Sequence, residues 1–134
     1  MKRGAPLGLV QVISSDPARS IAPVGIWAYS GIYNALGVSR EAFGAWQDKY
    51  GFDSLGVGAQ GEIFVPGYPI FSKVAWMYID PVDLSQAETK TLIVECERAL
   101  ENAKDQSTGE ELEAIRLLAV EAISHSATVR FGHP

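Results

Sequence analysis

The sequence predicts an α+β domain in which a small, mostly antiparallel sheet of about four strands packs against helices. Two helical apolar repeats, joined by a short polar connection, occupy residues 85–126. Strand-like stretches lie before and after these repeats, without the regular alternation of strand and helix that a parallel sheet needs. The chain has 134 residues, the length of one domain, so we expect residues 1–134 to form a single unit.

The two repeats predict a C-terminal antiparallel helical hairpin. Ser85 and Glu88 have the spacing of a capping box at the start of the first helix, and Thr108 and Glu111 have the same spacing at the second. Short connections place consecutive helices side by side in opposite directions. Apolar residues that recur every three or four positions form the expected seam, and they are Leu92, Cys96, Ala99, Ala103, Leu112, Ile115, Ala119 and Ala122.

The remaining elements follow from local composition. Two shorter N-terminal helices are expected, one beginning near Pro23 and ending at Leu36, the other capped by Ser39 and ending at Gly51. Residues 70–79 are apolar on both faces, which is typical of a central strand covered on both sides or by a second subunit. The strand-like stretches are residues 7–13, 62–65, 70–79 and 127–132.

The charge of the chain is concentrated in the hairpin. The net charge is −5, and residues 83–126 hold ten acidic and four basic side chains. This distribution argues against a protein that binds nucleic acid through its phosphates, but it suits a basic protein partner. We expect Glu95 and Glu101 to lie on the solvent-facing side of the hairpin, where they would contact such a partner.

Several classes of site are not supported by the sequence. Cys96 is the one cysteine, so no disulfide can form within the chain, and a reducing, cytoplasmic location is expected. No apolar run approaches the roughly 20 residues of a membrane span. The two histidines and Cys96 match no zinc pattern, and no nucleophile–base set is recognisable, so we predict no metal, no cofactor and no catalytic residues.

A glycine-rich loop is the strongest candidate for a ligand site. Gly56, Gly58 and Gly61 form a G-x-G-x-x-G sequence, but the strand before it and the helix after it that a dinucleotide site needs are not predicted. Residues 55–63 are similar to the nucleotide-covering loop of protein kinases. Met77 stands where the lysine of that family would be, and no H-R-D or D-F-G triplet is present, so a kinase is excluded.

Aromatic residues are also unevenly placed, since twelve of the thirteen precede Ile79. Several of them flank the glycine-rich loop, and aromatic side chains are enriched in ligand pockets and protein interfaces. Two lysines near the loop have the charge to meet an anionic ligand. The predicted ligand-binding residues are Trp46, Lys49, Tyr50, Phe52, Gly56, Gly58, Gly61, Lys73 and Trp76.

These observations lead to one principal hypothesis for function and two alternatives. The principal hypothesis is a small, non-catalytic, cytoplasmic interaction protein, an inhibitor or immunity-type binder of a protein partner, with a homodimer as the favoured oligomer. The first alternative is a protein that binds or sequesters a small anionic metabolite or nucleotide at the glycine-rich loop. The second is a small enzyme that uses Asp80 or a histidine as acid or base.

Overall fold

In the computed structural model, the described residues form four strands and four helices. In chain order they are β1 (Gly8–Ile13), β2 (Val24–Ile26), α1 (Tyr29–Ala35), α2 (Pro69–Val74), β3 (Val82–Leu84), α3 (Gln86–Leu100), α4 (Gln106–Ser124) and β4 (Thr128–Gly132). The described residues are 8–13, 22–27, 29–39, 41, 65, 67–74 and 81–132.

The four strands form one antiparallel sheet in the order β2-β1-β4-β3. The last strand of the chain therefore lies in the middle, where it pairs with β1 on one side and β3 on the other. Val129 and Phe131 of β4 are fully buried, and their partners across the strands are also apolar. The predicted α+β class and the predicted C-terminal strand are confirmed.

The helical hairpin is also confirmed. α3 has 15 residues and begins after a capping box in which the Ser85 hydroxyl accepts from the Glu88 amide, while the Glu88 carboxylate accepts from the Ser85 amide. This satisfies two amides that the first helical turn leaves without partners. The seam between the helices is dry, and its fully buried members include Leu92, Cys96, Ala99, Leu112, Ile115, Ala119 and Ala122.

The predicted second capping box is wrong. α4 begins three residues earlier, after Asp105, whose carboxylate accepts from the Thr108 amide at 2.8 Å. Thr108 is completely buried inside the first turn of α4. The Glu111 carboxylate accepts from the Trp27 amide instead of from the start of α4. Asp is as good an N-cap as Thr, so the spacing rule alone does not decide between them.

The N-terminal region differs from the prediction in two places. Residues 24–26 form a short strand, and the helix begins only at Tyr29. It ends as predicted near Gly37, which has a φ of +100°, a conformation that glycine adopts without strain. The second predicted helix, over residues 39–50, lies almost entirely outside the described residues.

The predicted central strand over residues 70–79 is wrong over its described part. Residues 69–74 are helical, with Ile70, Phe71 and Val74 buried on one side. The helix follows a turn in which the Tyr68 amide donates to the Val65 carbonyl and Gly67 has a φ of +85°. A run that is apolar on all sides has no period with which to distinguish a strand from a buried helix.

The core lies between the hairpin and one face of the sheet. α4 packs against β1, β2 and β4, while α3 packs against β3 and α2. The Tyr33 hydroxyl donates to the Phe71 carbonyl at 2.6 Å, which joins α1 to α2. None of the helices in the described part of the chain combines the length and apolarity that a membrane span requires.

Candidate functional site

Two glutamates of the hairpin face inward rather than toward solvent. Glu95 is 2% exposed, and its two carboxylate oxygens accept from the amides of Ile70 and Phe71 at 3.0 and 3.1 Å. These amides belong to the first turn of α2 and have no partner within that helix. Glu95 therefore supplies from α3 the cap that α2 does not have in its own sequence.

Arg98 holds the same segment one turn further along α3. Its guanidinium donates to the Gly67 carbonyl at 2.8 Å and lies 5.4 Å from the centre of the Tyr68 ring. Burial raises the pKa of Glu95, and the two backbone amides and the charge of Arg98 act in the opposite direction with smaller effect. Glu95 and Arg98 together fix residues 67–71 on the hairpin.

Glu111, on the other helix of the hairpin, also accepts a hydrogen bond from the backbone of a distant segment. It is 6% exposed, and its carboxylate accepts from the Trp27 amide at 3.0 Å, just before α1. Each short helix is thus joined near its start to a buried carboxylate of the hairpin. A negative charge near a helix N-terminus is favourable because the free amides there carry partial positive charge.

The prediction that Glu95 lies on the solvent-facing side of the hairpin is wrong, because the side chain is buried under α2. Glu101 is exposed, as expected. The sequence did contain a signal for both buried glutamates. Glu95 and Glu111 occur three residues after Leu92 and Thr108 and directly before Cys96 and Leu112, so each lies within a buried stripe.

The structure describes one of the nine predicted ligand-binding residues, Lys73. Trp46, Lys49, Tyr50, Phe52, Gly56, Gly58, Gly61 and Trp76 lie outside the described residues, as does Asp80. Lys73 is described, and its ammonium group contacts the Glu88 carboxylate at 2.7 Å. The hydrogen bond from Lys73 is the largest cause of the lowered pKa of Glu88. The ammonium group of Lys73 is therefore already paired with a carboxylate of α3.

The exposed side of the hairpin carries three large apolar side chains. Val94 of α3 is 50% exposed, and Leu117 and Val120 of α4 are 51% and 42% exposed. Leu117 and Val120 are three residues apart, so they are neighbours on the surface of α4. We call the exposed side of α3 and α4 around these three residues the outer hairpin face.

Helix spacing puts Val94 at about the same level along the hairpin as the two residues of α4. Glu97 of α3 and Arg116 of α4 are close enough for their charges to interact. The pKa of Arg116 is raised mainly by its hydrogen bonds to Glu113, and in smaller part by the charge of Glu97. Val94 is about one turn before Glu97, and Val120 is about one turn after Arg116. Because the helices are antiparallel, both steps lead in the same direction along the hairpin.

Charged side chains surround the apolar residues on this face. Toward the connection between the helices the exposed or half-buried charges are mainly acidic, whereas Lys90 lies toward the opposite end. Lys90 has no carboxylate partner among the described residues. An apolar centre within a polar rim is the usual composition of a protein–protein interface. The acidic residues of the rim are Glu97, Glu101, Glu110, Glu113 and Glu121.

Cys96 and His125, two further side chains with reactive groups, both have contacts within the fold. Cys96 is fully buried, and burial is the largest cause of its raised pKa, which keeps the thiol in its unreactive protonated form. His125 ends α4, where its ring lies 3.3 Å from the Glu121 carboxylate. Within the described ranges, no three histidine, cysteine or acidic side chains come together as a metal site would require.

Comparisons with protein-family models, with curated proteins and with solved structures found no match to this chain.

Proposed function

We propose that the chain is a small, non-catalytic, cytoplasmic interaction protein, an inhibitor or immunity-type binder that associates through its outer hairpin face. The observation that carries the proposal is the exposure of Val94, Leu117 and Val120 at one level of a well-packed hairpin. Large apolar side chains that share one face of a rigid element are a common mark of an association surface. The acidic rim favours a partner with basic residues around an apolar centre.

The packing of the hairpin supports this role. Its inner side is buried against the sheet and the short helices, and both buried glutamates are used to position backbone segments. Side chains on the outer side can therefore be substituted without loss of the contacts in the core. A rigid scaffold that presents an exposed face loses little conformational entropy on binding.

The alternative of an anionic-ligand protein depends on the glycine-rich loop and its aromatic neighbours. Those residues are not described, and Lys73 is engaged by Glu88. No described contact favours this alternative over association through the hairpin.

The proposal is tested by affinity capture from extracts of the source cells with the wild-type chain and Leu117→Glu as baits. The recovered protein is then purified, and its binding is measured by calorimetry. We expect the substitution to weaken binding at least about ten-fold, since it places a charge at the apolar centre of the interface.

The matched control is Ile13→Glu, because Ile13 is 40% exposed at the end of β1 rather than on the hairpin. This variant should bind as the wild type does. Unchanged affinity of Leu117→Glu, with its fold verified by circular dichroism, would exclude the outer hairpin face as the binding surface.

A further inference from the structure

We propose that in the free protein the outer hairpin face is covered by a second copy of the chain, related by a two-fold axis that crosses the hairpin near Val94 and Leu117. The inference rests on the proposed function, because it names the occupant of the same face before any other partner binds.

The apolar residues have the positions that a two-fold contact requires. α3 has 15 residues and α4 has 19, and Val94 and Leu117 lie close to the middle of their helices. A two-fold axis through the middle of the face brings each of these residues against its own copy. Val94 and Leu117, each about half exposed in the single chain, would then be removed from water together.

The direction of the axis follows from the charges. If the two hairpins met with both connections at the same end, the acidic residues of one rim would face those of the other. If the axis lies across the helices, α3 of one copy runs antiparallel to α3 of the other. Lys90 and Glu97 are on opposite sides of Val94, by about 6 and 4.5 Å along the axis of the helix.

The antiparallel arrangement therefore brings Lys90 of each copy next to Glu97 of the other, and the symmetry repeats this pair. Lys90 has no carboxylate partner among the described residues of its own chain, so the contact would supply one. On α4, Glu121 of one copy comes opposite Glu113 of the other, whose charge is balanced by its own ion pair with Arg116, so the Lys90–Glu97 pairs on α3 carry the charge argument. The charge pattern thus favours antiparallel over parallel contact of two copies.

The size of the face predicts a weak dimer. A helix of 15 residues is about 22 Å long, and two adjacent helices are together about 18 Å wide. The face thus covers about 400 Å² per copy, about half of what each partner contributes to a stable complex of standard size. We expect a dissociation constant of about 10 to 1,000 µM, weak enough for another protein to displace the second copy.

The test is sedimentation equilibrium of the full chain over concentrations that bracket this constant. Leu117→Glu should raise the dissociation constant at least about ten-fold, because two charges would meet near the axis, whereas Ile13→Glu should leave it unchanged. Lys90→Glu and Glu97→Lys should each raise it about three- to ten-fold. The double variant Lys90→Glu/Glu97→Lys should return it to within about two-fold of the wild type.

The charge swap is decisive for the arrangement, because it restores Lys90–Glu97 pairing only if the helices are antiparallel across the axis. Lys104→Glu, in the connection between the helices, controls for the change in net charge, and thermal unfolding verifies that each variant is folded. A dimer that the double variant fails to restore overturns the arrangement, and a wild-type chain that remains monomeric throughout overturns the proposal.

These outcomes separate the dimer from the proposed function. A monomeric wild-type chain whose captured partner is lost with Leu117→Glu refutes the second copy alone. A monomeric chain whose partner binding is unaffected by Leu117→Glu refutes both.

Discussion

At the residue scale, the acidic side chains of the hairpin divide into two groups with different surroundings. Glu95 and Glu111 are buried and accept hydrogen bonds from backbone amides of distant segments. Glu101, the C-cap residue directly after α3, is exposed. Net charge does not distinguish the buried glutamates from the exposed ones. A buried carboxylate stabilises the fold only through the hydrogen-bond donors that it satisfies.

Replacing Glu95 by alanine should lower the free energy of unfolding by about 3 kcal/mol. Two buried amides, those of Ile70 and Phe71, would lose their acceptors, and each such loss costs roughly 1–3 kcal/mol. Urea denaturation monitored by circular dichroism measures the change. The control, Glu101→Ala, should alter stability by no more than about 0.5 kcal/mol, as exposed substitutions usually do. Equal effects of the two variants would show that the Glu95 contacts contribute little.

At the element scale, the two short helices depend on the hairpin. α1 and α2 have 7 and 6 residues, lengths at which an isolated helix is not stable in water. α2 is held by Glu95, Arg98 and Glu88, and α1 by Glu111 near its start and by close packing on α4. α1 approaches α4 closely at Gly31, where an added methyl group would overlap the Thr108 hydroxyl.

Gly31→Ala should therefore destabilise the chain by about 1–3 kcal/mol, the usual cost of an overfilled contact in a core. Thr108→Ala removes the hydroxyl that the new methyl group would overlap, although it also removes the hydrogen bond to Asp105. The double variant should be less destabilised than the sum of the two single variants, by at least about 0.5 kcal/mol in a double-mutant cycle. Additive effects would indicate that α1 moves away from α4 instead.

At the scale of the whole molecule, the sheet depends on its last strand. β4 lies between β1 and β3, so its removal takes away both of those ladders and part of the sheet that covers the inner side of the hairpin. Val129 and Phe131 also lie in the core, where both are almost completely buried. The fold is therefore completed only when the C-terminal residues are present.

A chain that ends at residue 127 should not unfold cooperatively. Its hairpin would expose the side chains that now pack on the sheet, and a two-helix unit of this size has too small a core for independent stability. Thermal circular dichroism and the dispersion of amide resonances measure the loss. The point variant Phe131→Ala, expected to cost about 3–5 kcal/mol, should give an intermediate result. A cooperative transition in the truncated chain would contradict the central role of β4.

The sequence by itself determined the hairpin, the mostly antiparallel character of the sheet and the presence of a C-terminal strand. The hairpin carries a periodic signal over many residues, and periodicity reports which side of an element is buried. The antiparallel character follows from the absence of a regular alternation of strand and helix. It also placed Cys96 in the core, where the structure has it.

Only the tertiary structure decided the helical state of residues 69–74, the start of α4 and the hydrogen-bond partners of Glu95. The Ile70–Phe71 turn is helical because a carboxylate 24 to 25 positions later accepts its free amides, and no local pattern contains that partner. The tertiary structure also made Val94, Leu117 and Val120 candidates for association, because the exposure of a side chain depends on how the elements pack together. Local sequence specifies which residues can form an element, whereas the contacts between distant segments decide which of its polar groups are satisfied and which of its apolar groups stay in water.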